Sequence, residues 1–326
     1  MTGKYDIEVY DNNVHYKFSI RRKITIICGN SASGKTVLIN MIQNSEQSRY
    51  VTVTGAPCKV INASNSHWIE DISGLHDTIL FLDEDCTFMK TKEFATIVKN
   101  SDCYFVLVTR KAIETLHYSV EEIYTIVEDK RYPKLKKTYN KLVRKYNDKQ
   151  KPLKPDLILT EDSCSGFQFV KESFSSINCN TCCGKSNVDI CLRESTATKI
   201  LLIVDGAAFG SNIAYVVAAI KLRKNLGKQT VIFAPESFEW LILRSKNFYS
   251  KVKNELDKTY DYADSSQFES WEQYYTSLLI NLTKDKISAY SKSKLNPYYL
   301  QGRVQEEIKK MYSVIADDMK PLDLFN

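Results

Sequence analysis

The chain has 326 residues, 43% of them hydrophobic, enough to build two domains with cores of their own. A formal net charge of +6 argues only weakly for a polyanionic partner. No uninterrupted apolar stretch is long enough to span a bilayer, and no signal peptide is visible, so a membrane partner is not expected. The run from Ile200 to Ile220 comes nearest, but Asp205, Ser211 and Asn212 break it. Nine cysteines without a repeating framework suit a reducing compartment, which predicts a cytoplasmic location.

The N-terminus alternates polar and apolar residues over Tyr5–Tyr10 and Val14–Ile20 around the turn Asp11–Asn13, which predicts a hairpin. The apolar run Ile24–Cys28 then reads as a buried strand. It enters Gly29, Asn30, Ser31, Ala32, Ser33, Gly34, Lys35 and Thr36, a complete Walker A sequence, and continues into a helix at Val37–Ile42. Strand, loop and helix in that order separate a phosphate cradle from a chance glycine-serine loop. The loop amides and the helix N-terminus suit phosphate. Lys35 is expected on the β and γ oxygens, and Thr36 on Mg²⁺.

A second apolar run, Thr78–Leu82, ends in Asp83, Glu84 and Asp85, the form of a Walker B strand. Asp83 is expected to hold Mg²⁺ and Glu84 to orient or deprotonate the attacking water, while Asp85 suits a helix cap. A third run, Cys103–Val108, ends at Thr109 and Arg110. Thr109 is a candidate sensor of the γ-phosphate; an arginine after a strand is more often simply solvated.

Walker A, an Asp-Glu Walker B and a sensor-like strand resemble the hydrolysing branch of P-loop ATPases, those with an additional central strand. The resemblance implies ATP and Mg²⁺ as cofactors. ABC-type ATPases begin with a similar hairpin. Here only about one βα unit separates Walker A from Walker B, and Ser73-Gly74 lies too close to Walker B to be an ABC signature. A head-to-tail ABC dimer is therefore not expected.

Beyond Leu116–Val127, which reads as a turn and a final strand, Lys130–Lys154 is lysine-rich, with Tyr132, Tyr139 and Tyr146 at seven-residue spacing. A solvated linker with a short amphipathic helix explains these letters; basic residues interleaved with aromatics also suit a nucleic-acid backbone. A second α/β pattern follows. The strand Asp156–Thr160 leads to Glu161, a helix carries Phe167, Phe169 and Val170, and the strand Ile200–Val204 leads to Asp205. A helix from Asn212 to Lys224 and the strand Thr230–Ala234 complete it, the latter followed by Glu236 and Glu239. Alternating strands and helices predict a parallel sheet with sites at the strands' carboxyl ends.

This order resembles a Toprim domain, the metal-binding module of topoisomerases, primases and OLD-type nucleases. The resemblance implies Glu161 as the catalytic glutamate, Asp205 as the first aspartate of an Asp-x-Asp pair, both as metal ligands, and Gly210 as the following glycine. Gly184-Lys185-Ser186-Asn187-Val188 also resembles Toprim nucleases that accompany ATPases in anti-phage systems. Ala207 departs from the family, standing where the second aspartate belongs. Glu236, Glu239 and Asp162 are the substitutes at hand, since two-metal chemistry needs several carboxylates. The other reading is a plain doubly wound domain whose acidic strand ends cap helices.

Cys179-x-x-Cys182, with Cys183, Cys191 and Cys164, has the spacing of one zinc knuckle and lacks a second; free thiols are the simpler expectation. The last seventy or so residues read as helical, with Trp271, Tyr274, Tyr275, Leu278, Leu279 and Leu282 on a core stripe, a break at Asn296-Pro297 and a final helix from Val304 to Ile315.

The expected fold is thus α/β: a P-loop NTPase domain (1–130), a basic linker (131–155), a Toprim-like α/β domain (156–250) and a helical C-terminal region (251–326). The expected function is ATP binding and hydrolysis that controls a Mg²⁺-dependent nuclease acting on nucleic acid, in defence or a mobile element. In that mechanism, bound ATP and Mg²⁺ favour one arrangement and hydrolysis releases it. The alternative is an ATP-dependent sensor or adaptor with a degenerate Toprim-like domain that binds a protein partner. A homo-oligomer is compatible with either.

Overall fold

In the computed structural model, residues 1–29, 33–45, 51–63, 67–129, 138–146 and 153–312 are described. The chain is mixed α/β and divides into two compact units. One comprises residues 1–146 and 258–270, the other 147–257 and 271–326.

The first unit is built on a nine-stranded sheet. In chain order its elements are β1 (Tyr5–Tyr10), β2 (Val14–Ile20), β3 (Ile24–Ile27), α1 (Lys35–Asn44), β4 (Thr52–Thr54), β5 (Cys58–Ile61) and α2 (Trp68–Ser73). β6 (Ile79–Leu82), α3 (Lys92–Asn100), β7 (Tyr104–Val108), β8 (Ile123–Glu128) and β9 (Thr138–Arg144) follow. The sheet order is β4-β1-β2-β9-β8-β3-β7-β6-β5. Every residue of β3, β6 and β7 is buried, as parallel strands covered on both faces require. α1 buries Leu38, Ile39, Met41 and Ile42 in the cluster that holds Ile27, Phe81 and Val106. The expected hairpin is present, with Ile7 opposite Phe18.

The basic segment differs from expectation. Its residues 138–144 are not helical; they form β9, antiparallel to β8 and parallel to β2. Non-local pairing decides this, because β9 supplies the backbone partners for one side of both neighbours. Tyr139 accordingly faces His15 across the sheet rather than lying on a helix stripe. Tyr132 lies outside the described residues.

Residues 258–270 return to this unit. Lys23 Nζ donates to Ser265 O (2.6 Å) and to Lys99 O (2.7 Å), and His117 pairs with Glu269 at 3.1 Å. Burial lowers the Lys23 pKa to about 8.

The second unit contains β10 (Leu157–Thr160), α4 (Ser165–Ser173), β11 (Asn178–Thr181), α5 (Val188–Glu194), β12 (Lys199–Ile203), α6 (Ile213–Asn225) and β13 (Gln229–Phe233). α7 (Phe238–Arg244), α8 (Lys246–Tyr249), α9 (Lys253–Asp257), α10 (Trp271–Thr283) and α11 (Gly302–Lys309) complete it. Its four strands are all parallel, in the order β11-β10-β12-β13. β11 is an edge strand with a polar sequence, Asn-Cys-Asn-Thr, that carries no apolar run. α10 buries Tyr274, Tyr275 and Leu279, so its aromatic stripe is core. The last helix begins at Gly302 and ends at Lys309, shorter than expected, and residues beyond 312 are outside the described set.

A buried ion cluster ties the first unit together. Glu122 is 0% exposed and accepts from Arg21 Nε (3.0 Å), Arg22 Nε (3.2 Å) and the Tyr124 hydroxyl (3.1 Å). Removing it takes away the buried carboxylate that both Nε groups share and leaves Glu121, itself paired with Arg21 and Arg22, as the neighbouring carboxylate. Glu122→Ala is expected to lower stability by about 3–5 kcal/mol, and Glu122→Gln by less, in urea unfolding monitored by circular dichroism.

Candidate functional site

In the first unit, parallel pairing brings three strand ends to one sheet edge. Ile27 is in register with Val108, and Leu82 with Leu107, so Cys28-Gly29, Thr109-Arg110 and Asp83-Glu84 all leave the same side. β7 lies between β3 and β6 in the sheet.

The described part of the loop is tightly formed. Gly29 and Gly34 have φ of +147° and +86°, a backbone region that favours glycine. The Tyr16 hydroxyl donates to Gly34 O at 2.9 Å and would sit 3.0 Å from a Cβ at Gly34. Lys35 is buried, and its ammonium donates to Gly29 O and Ser33 Oγ, each at 2.8 Å. Thr36 is exposed on the first turn of α1. Asn30, Ser31 and Ala32 lie outside the described residues.

At the end of β6, Asp83 Oδ1 accepts from the Glu84 amide at 2.7 Å. Glu84 Oε1 accepts from Arg110 Nη2 at 2.7 Å, a partnership the sequence did not indicate. Thr109 is buried, and its hydroxyl donates to Lys111 O (2.8 Å) and accepts from Lys111 N (3.2 Å). In this structure that hydroxyl serves its own turn. Asp85 is exposed, and α3 is capped instead by Thr91, whose hydroxyl accepts from Phe94 N.

In the second unit, Thr160 and Ile203 are in register on adjoining parallel strands, which sets Glu161 beside Asp205. The Asp205 amide donates to Glu161 Oε2 at 3.1 Å. The Gly184 amide donates to Glu161 O at 2.7 Å, so the Gly-Lys-x-Asn stretch packs behind the glutamate. Gly206 is required here, because a Cβ would lie 2.6 Å from Ala234 O. Ala207 is 2% exposed, with its amide on Glu236 O at 3.1 Å.

Around this pair lies a cavity of about 30 Å³, lined by Glu161, Asp162, Asp205, Glu239 and Lys292 among others. That volume holds about one or two water molecules or a small ion. Of the candidate substitutes for the missing aspartate, Asp162 spends Oδ1 on the Cys164 amide at 3.0 Å. Glu239 is buried in the first turn of α7 and accepts from the Tyr290 hydroxyl at 2.8 Å, which also bonds to Ser165 Oγ. Glu236 does not line the cavity.

The C-terminal region completes this site, which sequence reading did not foresee. Lys292 is ion-paired with Glu272 of α10. Tyr290 and Lys292 belong to no motif, and nothing in Ser291-Lys292-Ser293-Lys294 distinguishes one lysine from the other. All nine cysteines are free thiols, and among the described residues no three His, Cys, Asp or Glu side chains are placed to hold a metal ion together.

Electrostatics follow from this crowding. Burial, with Glu272 and Asp162 nearby, pushes the Glu161 carboxyl up to about 7, against the opposing Asp205 amide and Lys185. Burial and the charges of Glu272, Glu161 and Glu239 raise Asp205 well above the usual carboxylate range. Burial works against the Lys292 ammonium, but Glu272, Glu239 and Asp205 outweigh it and hold its proton more firmly than usual.

No protein-family model matches this chain, and no curated protein or solved structure matches it either. Among the described residues, no helix is long and apolar enough to cross a membrane.

A raised carboxyl pKa favours the folded state while the group is protonated. That contribution is full below about 4.5 and is lost as pH rises through about 7. Glu161→Gln cannot ionise. Its stability relative to wild type is expected to improve by roughly 2–3 kcal/mol as pH rises from 4.5 to above 7. Urea melts of both proteins across that range, in EDTA, check the slope.

Proposed function

We propose that the chain is an ATP-binding and ATP-hydrolysing P-loop protein whose nucleotide state controls its second α/β unit. The observation that carries this reading is the strand order β8-β3-β7-β6-β5 with its three polar strand ends on one edge. The chain passes between the units at 146/147, 257/258 and 270/271, which gives nucleotide-linked changes several covalent routes.

The residues present suit a Mg²⁺-bound triphosphate. The loop amides and the α1 N-terminus would hold phosphate oxygens. Lys35 would exchange its contacts with Gly29 O and Ser33 Oγ for phosphate, and Thr36 and Asp83 would hold the ion. Mg²⁺ neutralises charge developing on the phosphates. Glu84 would orient the attacking water once Arg110 releases it. Thr109 is placed to sense the γ-phosphate only if its bonds to Lys111 rearrange.

For the second unit, Mg²⁺ at Glu161 and Asp205 is what a Toprim-like domain implies. The donor set does not suit that ion: Glu161 Oε2 is engaged by the Asp205 amide, position 207 is a buried alanine, and an ammonium stands among the carboxyls. These observations favour the sensor or adaptor over the nuclease, with a protein partner.

Phosphate release from ATP and Mg²⁺ is expected in wild type and is expected to fall about 100-fold or more in Lys35→Ala. Plasmid, linear DNA and tRNA are expected to remain intact in the same reactions. Cleavage that disappears in both Lys35→Ala and Asp205→Ala would replace the adaptor with an ATP-gated nuclease. ATP turnover unaffected by Lys35→Ala would remove the ATPase reading itself.

A further inference from the structure

The acidic strand ends of the second unit raise a physical question: what balances their charge? Glu161 and Asp205 sit side by side, with Glu239 on the first turn of α7 and Glu272 on α10. Carboxyls gathered in a half-buried cleft repel one another and lose hydration, so they take up protons or acquire a cation. Lys185, in the turn after β11, acts on Glu161. Lys292 acts on Asp205, Glu239 and Glu272 together.

Lys292 is not carried on a free loop. Its carbonyl accepts from the Ser165 amide at 2.9 Å, at the start of α4. Two residues earlier, the Tyr290 hydroxyl bridges Glu239 and Ser165, and the Tyr290 amide donates to Thr283 Oγ1 at 3.1 Å. On the other side, Gln168 clasps the strap twice, donating to Ser293 O at 3.0 Å and accepting from the Leu295 amide at 2.9 Å. Asn296 closes the strap locally by donating to Ile287 O and Ala289 O, each at 3.0 Å. The backbone is thus fixed on both sides of Lys292, and its side chain reaches the cavity and pairs with Glu272.

We propose that the Lys292 ammonium is the resident cation of this carboxyl cluster, delivered by the strap Tyr290–Leu295, and that it takes the place a divalent metal would occupy. The second unit then folds and acts without a divalent ion. The C-terminal region is part of the site rather than an appendage to it. Ala207 fits the same arrangement: with an ammonium already supplied, a further aspartate would add buried negative charge with nothing to balance it. An ammonium also differs from Mg²⁺ in chemistry, since it donates hydrogen bonds and does not bring several oxygens into one coordination shell.

The test uses the full chain without nucleotide, with Mn²⁺ as the probe, read by electron paramagnetic resonance of free Mn²⁺ and by thermal melts. Wild type and Asp205→Asn are expected to give superimposable Mn²⁺ titrations. Lys292→Ala is expected to melt roughly 3–6 °C lower in EDTA, to recover part of that loss in millimolar Mn²⁺, and to gain a saturable Mn²⁺ site. Lys292→Arg is expected to resemble wild type. A saturable site in wild type that Asp205→Asn abolishes overturns the proposal, and so does a Lys292→Ala protein as stable as wild type in EDTA. A loss of stability that Mn²⁺ leaves untouched also counts against it. Should Lys292→Ala fail to fold, the wild-type and Asp205→Asn titrations decide alone. None of these readouts involves ATP, so failure here leaves the ATPase reading to the Lys35→Ala assay.

Discussion

Parallel pairing of short, largely buried strands is the constraint on which both candidate sites depend. In a parallel sheet every strand ends at the same edge, so residues far apart in the chain arrive there together. The register of Ile27 with Val108 and of Leu82 with Leu107 does this for Cys28-Gly29, Thr109-Arg110 and Asp83-Glu84. The register of Thr160 with Ile203 does it for Glu161 and Asp205. Apolar strands such as Ile79–Leu82 and Ile200–Leu202 carry no polar side chain along their length, which leaves the strand ends as the place for chemistry.

Carboxyl groups concentrated at such an edge need compensation, and in both units the protein provides it from its own side chains. Glu84 is held by Arg110, a pair with more than half of the arginine exposed, so the energy at stake is small and easily exchanged. The second unit is different. There the carboxyls are more enclosed, burial raises the pKa of Glu161 and of Asp205, Lys292 stands among them, and the strap that brings the lysine is bonded into α4 and α7. The first arrangement suits a site that exchanges partners during turnover. The second suits a site whose charge is settled by the fold.

Much of this organisation was legible in the residues. The hairpin, the strands before Gly29 and Asp83, and the helices after Lys35 and Asn212 all follow local signals: period-two alternation, apolar runs ending in polar clusters, and glycine where φ is positive. What escaped the reading has a common cause. Thr138–Arg144 reads as part of a linker because the lysines and tyrosines of the surrounding segment show no strand periodicity; it is the strand β9 because β2 and β8 need a partner. β11 was missed for the same reason, and Glu272, Tyr290 and Lys292 had no spacing that tied them to Glu161.

By itself, then, the sequence determined the local elements, the glycines that flank the loop before α1 and the carboxylates at the strand ends, because steric preference, hydrophobic period and motif spacing act over a few residues. Only the tertiary structure decided which of those carboxylates meet, that position 207 is buried, and that a lysine from the C-terminal strap stands among them. Charge compensation acts through space between segments about a hundred residues apart, and no window of sequence contains both partners.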